Sequence, residues 1–208
     1  MNQTETPSID PHLNEAVEKT KGLQPWRRVF HAANGSFIVL ALTVFGLPVP
    51  TAILILSVIL ALSLTLDVLR LLDPKVNVLF FRAFSFLASP REDKKLASSS
   101  WYALSALLFL AIFSKSYALA GILVLAWGDP AANIVGRRWG KIRLMDGTVR
   151  GTAAFAVAAL LALLFFVPWK PAIVVALVAA LMEASPIDLD DNLIVPLTVA
   201  TTLFLISA

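Results

Sequence analysis

From Val29 to Leu66 the sequence carries no Asp, Glu, Lys or Arg. One helix needs roughly 20 apolar residues to cross a bilayer, and this run is far longer. Leu47-Pro48-Val49-Pro50 divides it. Proline ends or kinks a helix, so the run reads as two spanning helices, at 27–46 and 50–72, joined by a tight turn. The same pattern recurs downstream. Further spans are expected at 97–113, 117–136, 151–167, 172–185 and 193–207, separated by Ser114-Lys115-Ser116, a basic loop at 137–150, Pro168-Trp169-Lys170-Pro171 and an acidic loop at 186–192. The expected fold class is all-α, a polytopic transmembrane bundle of about seven spans. Apolar runs of this length without alternation of period two exclude a β-barrel.

Composition agrees. The chain is 58% hydrophobic and only 15% charged, against about 25% charged in soluble domains. That excludes a soluble enzyme and a disordered chain. The absence of cysteine rules out disulfides and thiolate metal sites. The start of the chain has no basic n-region or apolar h-region, so no cleaved signal peptide is expected. Residues 1–24 read as a polar cytoplasmic tail or short interfacial helix, and 25–208 as a transmembrane catalytic domain. Between the second and third spans lies a polar loop, 73–96, whose apolar stretch 78–88 suits the membrane interface.

The net charge is +3. In a membrane chain this marks cytoplasmic loops rather than a nucleic-acid partner. Of the 17 Lys and Arg residues, only Lys115 and Lys170 fall on the face opposite the others. The positive-inside rule then puts the N-terminus in the cytoplasm.

Three acids interrupt or border the apolar spans: Asp67, Asp129 and Glu183. Each costs roughly 2.5–3.5 kcal/mol at a helix centre, and less near an end. Asp67 has Arg70 one turn away, which suits a helix-packing ion pair as well as a site. Asp129 has no such partner. It opens the most informative segment, Trp127-Gly128-Asp129-Pro130 through Asn133, Gly136, Arg137, Arg138, Gly140 and Lys141. Pro130 is expected to open the helix around the carboxylate. Asp129 and Asn133 share a face, the glycines permit close backbone approach, and three cations follow. A carboxylate beside a Gly/Arg/Lys loop suits Mg²⁺ and a polyphosphate. The stretch Gly136 to Lys141 is not a P-loop, because the spacing is short, Ile142 replaces Ser/Thr and no strand precedes it.

A second acidic group runs from Glu183 through Asp188, Asp190 and Asp191 to Asn192. Clustered carboxylates repel unless a cation binds between them, although a helix cap, best suited to Asp188, accounts for one of them. His31 stands near Arg28 and Asn34, at the cytoplasmic end of the first span, where a hydrogen-bonded structural histidine and a site residue are equally admissible.

Taken in order, these residues resemble the CTP-dependent lipid kinases, a family that includes phytol and farnesol kinases, dolichol kinase and the fungal-type diacylglycerol kinase, with the phosphatidate cytidylyltransferases as distant relatives. The resemblance rests on Arg27-Arg28…His31…Gly35, Asp67-x-x-Arg70, Gly128-Asp129-Pro130-Ala131-Ala132…Gly136-Arg137-Arg138-Trp139-Gly140-Lys141, Gly151-Thr152, and Glu183-Ala184-Ser185-Pro186…Asp190-Asp191-Asn192…Pro196. Relatives carry a Lys and an acid just before the Gly-Ser/Thr pair, and both are absent from Gly147-Thr148-Val149-Arg150. The resemblance implies transfer of the γ-phosphate of CTP to a lipid alcohol, of the polyprenol, phytol or diacylglycerol type, at the cytoplasmic face. It implies Asp129, His31, Asp67 and Arg70 as catalytic residues. Arg28, Asn133, Gly136, Arg137, Arg138, Gly140, Lys141, Gly151, Thr152 and Asn192 would bind the nucleotide, and Asp129, Glu183, Asp190 and Asp191 would hold Mg²⁺. The alternatives are cytidylyl transfer to a lipid phosphate, which the same residues would serve, and a membrane transporter with the intramembrane acids as an ion path. Against the transporter, the chain has no clear repeat and its charges gather at one face.

Overall fold

The computed structural model describes residues 11–22, 24–187 and 189–207. Within them the chain forms α1 (Pro11–Glu18), α2 (Pro25–Thr43), α3 (Val49–Leu72), α4 (Pro74–Ala83), a single 3₁₀ turn (Pro90–Asp93), α5 (Ser98–Ile112), α6 (Lys115–Trp139), a two-stranded hairpin of β1 (Arg143–Leu144) and β2 (Gly147–Thr148), α7 (Val149–Leu163), α8 (Trp169–Glu183) and α9 (Asp191–Ser207). Each expected span matches one helix. The all-helical class is as expected, and α3 and α6 are long and apolar enough to cross a membrane. Helices α5, α7 and α9 are shorter apolar helices.

Local chemistry sets the boundaries. Gly46 adopts φ +66°, which glycine alone reaches without strain. It stops α2, and the Leu47 N–H donates back to the Ala41 carbonyl at 2.9 Å. Pro48 and Pro50 then start α3, where a missing N–H costs nothing. Asp73 caps α4 by accepting from the Lys75 N–H at 2.8 Å.

Helix α6 is the axle. Every residue from Ala118 to Ala126 is buried, and α2, α5, α7 and α9 pack around it, with α8 wedged between α7 and α9. Helix α3 lies at the periphery on α5. Its buried positions form one stripe, Ala52, Leu56, Leu60, Asp67 and Arg70, while Leu54, Ile55, Val58, Ile59 and Leu62 face outward. An apolar surface of this extent suits lipid.

Two expectations need revision. Pro130 does not break α6, which runs unbroken to Trp139. The proline withdraws one donor from the ladder, but the packed neighbours hold the helix straight through it. The basic loop 137–150 is not irregular: its first residues extend α6, and 143–148 fold into the antiparallel hairpin, pairing Arg143 with Thr148 and Leu144 with Gly147. In the polar N-terminal segment the described residues form a short helix, one of the two forms expected. Within it, α1 buries Ala16 against Phe80, Phe81, Ala88 and Ala97 in a second apolar cluster. Residues 1–10 of the expected tail lie outside the described residues, as does Asp188.

Candidate functional site

Helix α6 supplies the centre of the site. Asp129 is half-buried, and its Oδ1 accepts from the Asn133 Nδ2 at 2.7 Å. The same amide also donates to the Asp129 carbonyl at 3.1 Å. The i,i+4 spacing therefore brings the two side chains together as expected. No other described residue hydrogen-bonds to the Asp129 carboxylate.

The adjoining face of α6 explains the glycines. Gly128, Ala132, Gly136 and Gly140 recur every four residues and face α7. A Cβ on Gly128 would stand 2.7 Å from the Phe155 ring, one on Gly140 2.5 Å from the Thr148 Oγ1, and one on Gly151 3.0 Å from the Ala132 carbonyl. The small residues let α6 and α7 touch backbone to backbone, as small residues do where helices meet in a membrane. This contact fixes where α7 begins. Thr148 caps it, its Oγ1 accepting from the Gly151 N–H at 3.1 Å, and Thr152 follows, buried, with its Oγ1 lacking a hydrogen-bond partner among the described residues.

The hairpin ties this corner to α8. The Asp146 N–H donates to the Ala184 carbonyl at 3.1 Å, which seats Glu183 beside it. The start of α9 follows. Asp190 caps that helix: its Oδ1 accepts from the Asn192 N–H at 3.0 Å and from the Asn192 Nδ2 at 2.5 Å. The cap observed is thus Asp190, and Asp188 lies outside the described residues. Asn192 is buried by the exchange.

Helix α2 closes the site. Arg28 is buried and His31 lies one turn further along. The charge of Asp129 reaches Arg28 and His31 on α2, Glu183 on α8 and Asp191 on α9. Four expected residues on three other helices thus lie within electrostatic reach of one carboxylate. The cations stand at the rim. Arg137 donates to the Gly22 carbonyl at 2.6 Å, Arg138 lies over the Trp139 ring at 5.5 Å, and Arg137, Arg138 and Lys141 are all exposed.

Asp67 and Arg70 occupy different surroundings. They form a buried ion pair at 2.6 Å, each about 1% exposed. Arg70 also donates to the carbonyls of Glu92 and Lys95, both at 2.6 Å. The second Asp67 oxygen accepts from the Ala97 N–H at 3.0 Å and the Ser100 hydroxyl at 2.6 Å. From the other side, Arg27 reaches the Glu92 carboxylate at 2.7 Å and the Ser98 hydroxyl at 2.5 Å. Two arginines thus strap the loop 84–97 to α2 and α3. Sequence reasoning passed over Glu92 and Ser100. The available signal was a run of polar residues, Ser98-Ser99-Ser100, opening an otherwise apolar helix.

Among the described residues no three His, Asp or Glu side chains stand close enough to hold a metal by themselves. The donor chemistry still suits a hard divalent ion. Mg²⁺ is commonly held by one or two carboxylates together with substrate phosphates, and Asp129 offers an oxygen with no hydrogen-bond donor among the described residues.

No family model matches the chain, and no solved structure matches it. Curated proteins do. The chain is 33% identical over 150 residues to the CTP-dependent diacylglycerol kinase 1 of Eremothecium gossypii, covering 70% of this chain and 47% of that protein. It is 29% identical over 150 residues to the Saccharomyces cerevisiae protein of the same name, covering 70% and 51%. It is 33% identical over 143 residues to a probable chloroplastic phytol kinase 2 of Oryza sativa subsp. japonica, covering 59% and 46%. The chain spans about half the length of these relatives. The ordered motifs, the site they build around Asp129 and these relatives agree: the chain belongs to the CTP-dependent lipid kinase family.

Proposed function

We propose that the chain is an integral membrane kinase that transfers the γ-phosphate of CTP to a lipid alcohol at the cytoplasmic face. The observation that carries this reading is the open oxygen of Asp129, in electrostatic reach of Arg28, His31, Glu183 and Asp191 and rimmed by Arg137, Arg138 and Lys141. Phosphoryl transfer asks little covalent help of a protein and much positioning and charge neutralisation. The alcohol oxygen bonds to the γ-phosphorus while that phosphorus separates from the β–γ bridging oxygen. CDP leaves with the electron pair, and the hydroxyl proton is lost to the medium.

Each group has a task in this scheme. Asp129 would hold Mg²⁺ together with the substrate phosphates, with Glu183, Asp190 and Asp191 as the further acids of the facing helices, and the ion when bound would neutralise phosphate charge. Asn133 fixes the Asp129 rotamer. Arg28, Arg137, Arg138 and Lys141 hold the phosphates, and the Thr152 hydroxyl and the capped start of α7 add donors, as helix N-termini do for anions. Asn192 pins Asp190. Gly136, Gly140 and Gly151 act by bringing α6 and α7 together. Asp67 and Arg70 act by holding the loop 84–97 over the site.

The test is product analysis with purified protein, CTP labelled at either the α- or the γ-phosphate, and a panel of diacylglycerol, phytol, farnesol and longer polyprenols. Label from the γ-position alone should enter lipid. Label from the α-position entering a lipid phosphate would mean cytidylyl transfer, and no labelled lipid at all would overturn the enzymatic reading.

A further inference from the structure

The nucleotide side of the site leaves unexplained a group of polar atoms on its inner side. The Nε2 of His31, the hydroxyl of Tyr102 and the hydroxyl of Ser105 are all buried, and none has a hydrogen-bond partner among the described residues. Tyr102 and Ser105 are three apart on α5, so they share one face, and they are 9% and 2% exposed. The His31 and Tyr102 rings meet edge to face, with centroids 4.8 Å apart. Gly35 makes room for this contact, since a Cβ there would lie 2.6 Å from the Tyr102 hydroxyl and 2.4 Å from the Ala126 Cβ. Buried polar atoms are ordinarily satisfied by protein or by ordered water. Three orphans together therefore mark a place where something polar sits, and the charge of Asp129 reaches its edge at His31.

We infer that this is the seat of the acceptor: Tyr102 and Ser105 bind the primary hydroxyl of the lipid alcohol and hold it toward Asp129. The inference rests on the kinase reading above and adds to it the residues that receive the second substrate. One hydroxyl oxygen both donates and accepts, so it satisfies groups of mixed character such as two hydroxyls and an imidazole nitrogen. The helices provide a way in for the tail. Helix α2 packs on α6, whereas α3 packs on α5 and α4, and α2 and α3 make at most marginal contact with each other. The seam between them leads from the outer apolar surface toward α5. Displacement of an ordered water by the alcohol hydroxyl would conserve hydrogen bonds there.

The experiment uses the full chain in detergent micelles, with CTP and either dioctanoylglycerol or phytol as acceptor. Tyr102→Phe keeps the ring and removes only the hydroxyl. It should raise the KM for the alcohol about tenfold, the scale of one lost hydrogen bond, and leave the KM for CTP and the thermal midpoint unchanged. Ser105→Ala should shift the same constant by less. An unchanged alcohol KM in Tyr102→Phe would overturn the inference and leave the kinase reading intact, as would equal shifts in both KM values, which mean a structural water only. If the wild type phosphorylates neither of these acceptors nor farnesol nor a longer polyprenol, the kinase reading falls, and retention of dioctanoylglycerol or phytol is then measured by native mass spectrometry. Equal retention by wild type and Tyr102→Phe overturns the pocket itself, and weaker retention by the variant sustains it.

Discussion

Asp67 in α3 and Asp129 in α6 are both carboxylates within long apolar helices, and the fold treats them in opposite ways. Asp67 is sealed. One oxygen meets Arg70 at 2.6 Å, and the other takes a hydroxyl and an amide from the start of α5. Asp129 is half-buried, and the only described residue bonded to its carboxylate is Asn133. A carboxylate that its own fold saturates has no valence left for a ligand. One that is oriented but left open has, and the surrounding protein bears the cost of keeping it so. The same contrast appears in the arginines. Arg70 spends its donors on Asp67, Asn77 and the carbonyls of Glu92 and Lys95, while Arg137 at the rim holds one loop carbonyl and stays exposed.

The sharpest way to break this comparison is Asp129→Asn. It keeps the shape and removes the charge, so transfer of phosphate to lipid should fall by about 10³-fold, the scale of losing a principal electrostatic group. The thermal midpoint should hold, because the charge that leaves was not saturated by the fold. Near-normal turnover, read with γ-labelled CTP, would remove Asp129 from the chemistry.

Arg70→Met makes the opposite case. It strands Asp67 at about 1% exposure, and an unpaired buried charge costs roughly 3–5 kcal/mol. Unfolding in denaturant should register that loss, while the folded fraction keeps its KM for CTP. The double change Asp67→Leu with Arg70→Met should recover much of the stability, since an apolar pair carries no desolvation penalty. A double variant as unstable as the single one would show that the loop 84–97 depends on Arg70 itself.

A third substitution tests the seam behind Asp129. In Gly151→Ala the new Cβ meets the Ala132 carbonyl and the Thr148 Oγ1, both at 3.0 Å, whereas in Gly147→Ala its nearest neighbour is 3.7 Å away. Overpacking of this kind costs about 1–3 kcal/mol. Gly151→Ala should therefore melt measurably lower than Gly147→Ala, and equal melting would mean that α6 and α7 separate without penalty.

The helices were legible because apolar runs and proline turns are one-dimensional signals, and each apolar run is a helix where it was expected. The pairing of Asp129 with Asn133 was legible from spacing alone. What stayed hidden depends on neighbours distant in sequence. Strands of two residues, as in the hairpin 143–148, leave no periodicity to read. The continuity of α6 through Pro130 comes from helices packed around it, which no local rule reports. The capping role of Asp190 needs the observed start of α9, which the sequence alone does not fix. Asp67 was ambiguous because Arg70 is visible in sequence, whereas the Ala97 amide and the Ser100 hydroxyl that complete the seal lie some thirty residues on. Tyr102 and Ser105 carry no charge, and a hydroxyl inside an apolar helix reads as neutral until its surroundings are known.

The smallest effects discriminate best, because they leave both sites standing. Asn133→Ala deletes the amide that orients Asp129 and nothing that packs the core. Losing one hydrogen bond to a charged group costs about 1.5–3 kcal/mol where it matters, so kcat should drop by at least about tenfold, with stability unchanged. Ser100→Ala is its counterpart. It deletes one of the donors that saturate Asp67, so the same kind of loss should appear as stability, with the kinetics of the folded enzyme unaltered. The two variants are measured side by side, by melting and by initial rates with CTP and a lipid alcohol. If Asn133→Ala lowers only the melting temperature, Asp129 is a packing residue like Asp67. If Ser100→Ala lowers kcat at full stability, the sealed pair takes part in the reaction through the loop it straps, and sealing ceases to separate structure from chemistry in this bundle.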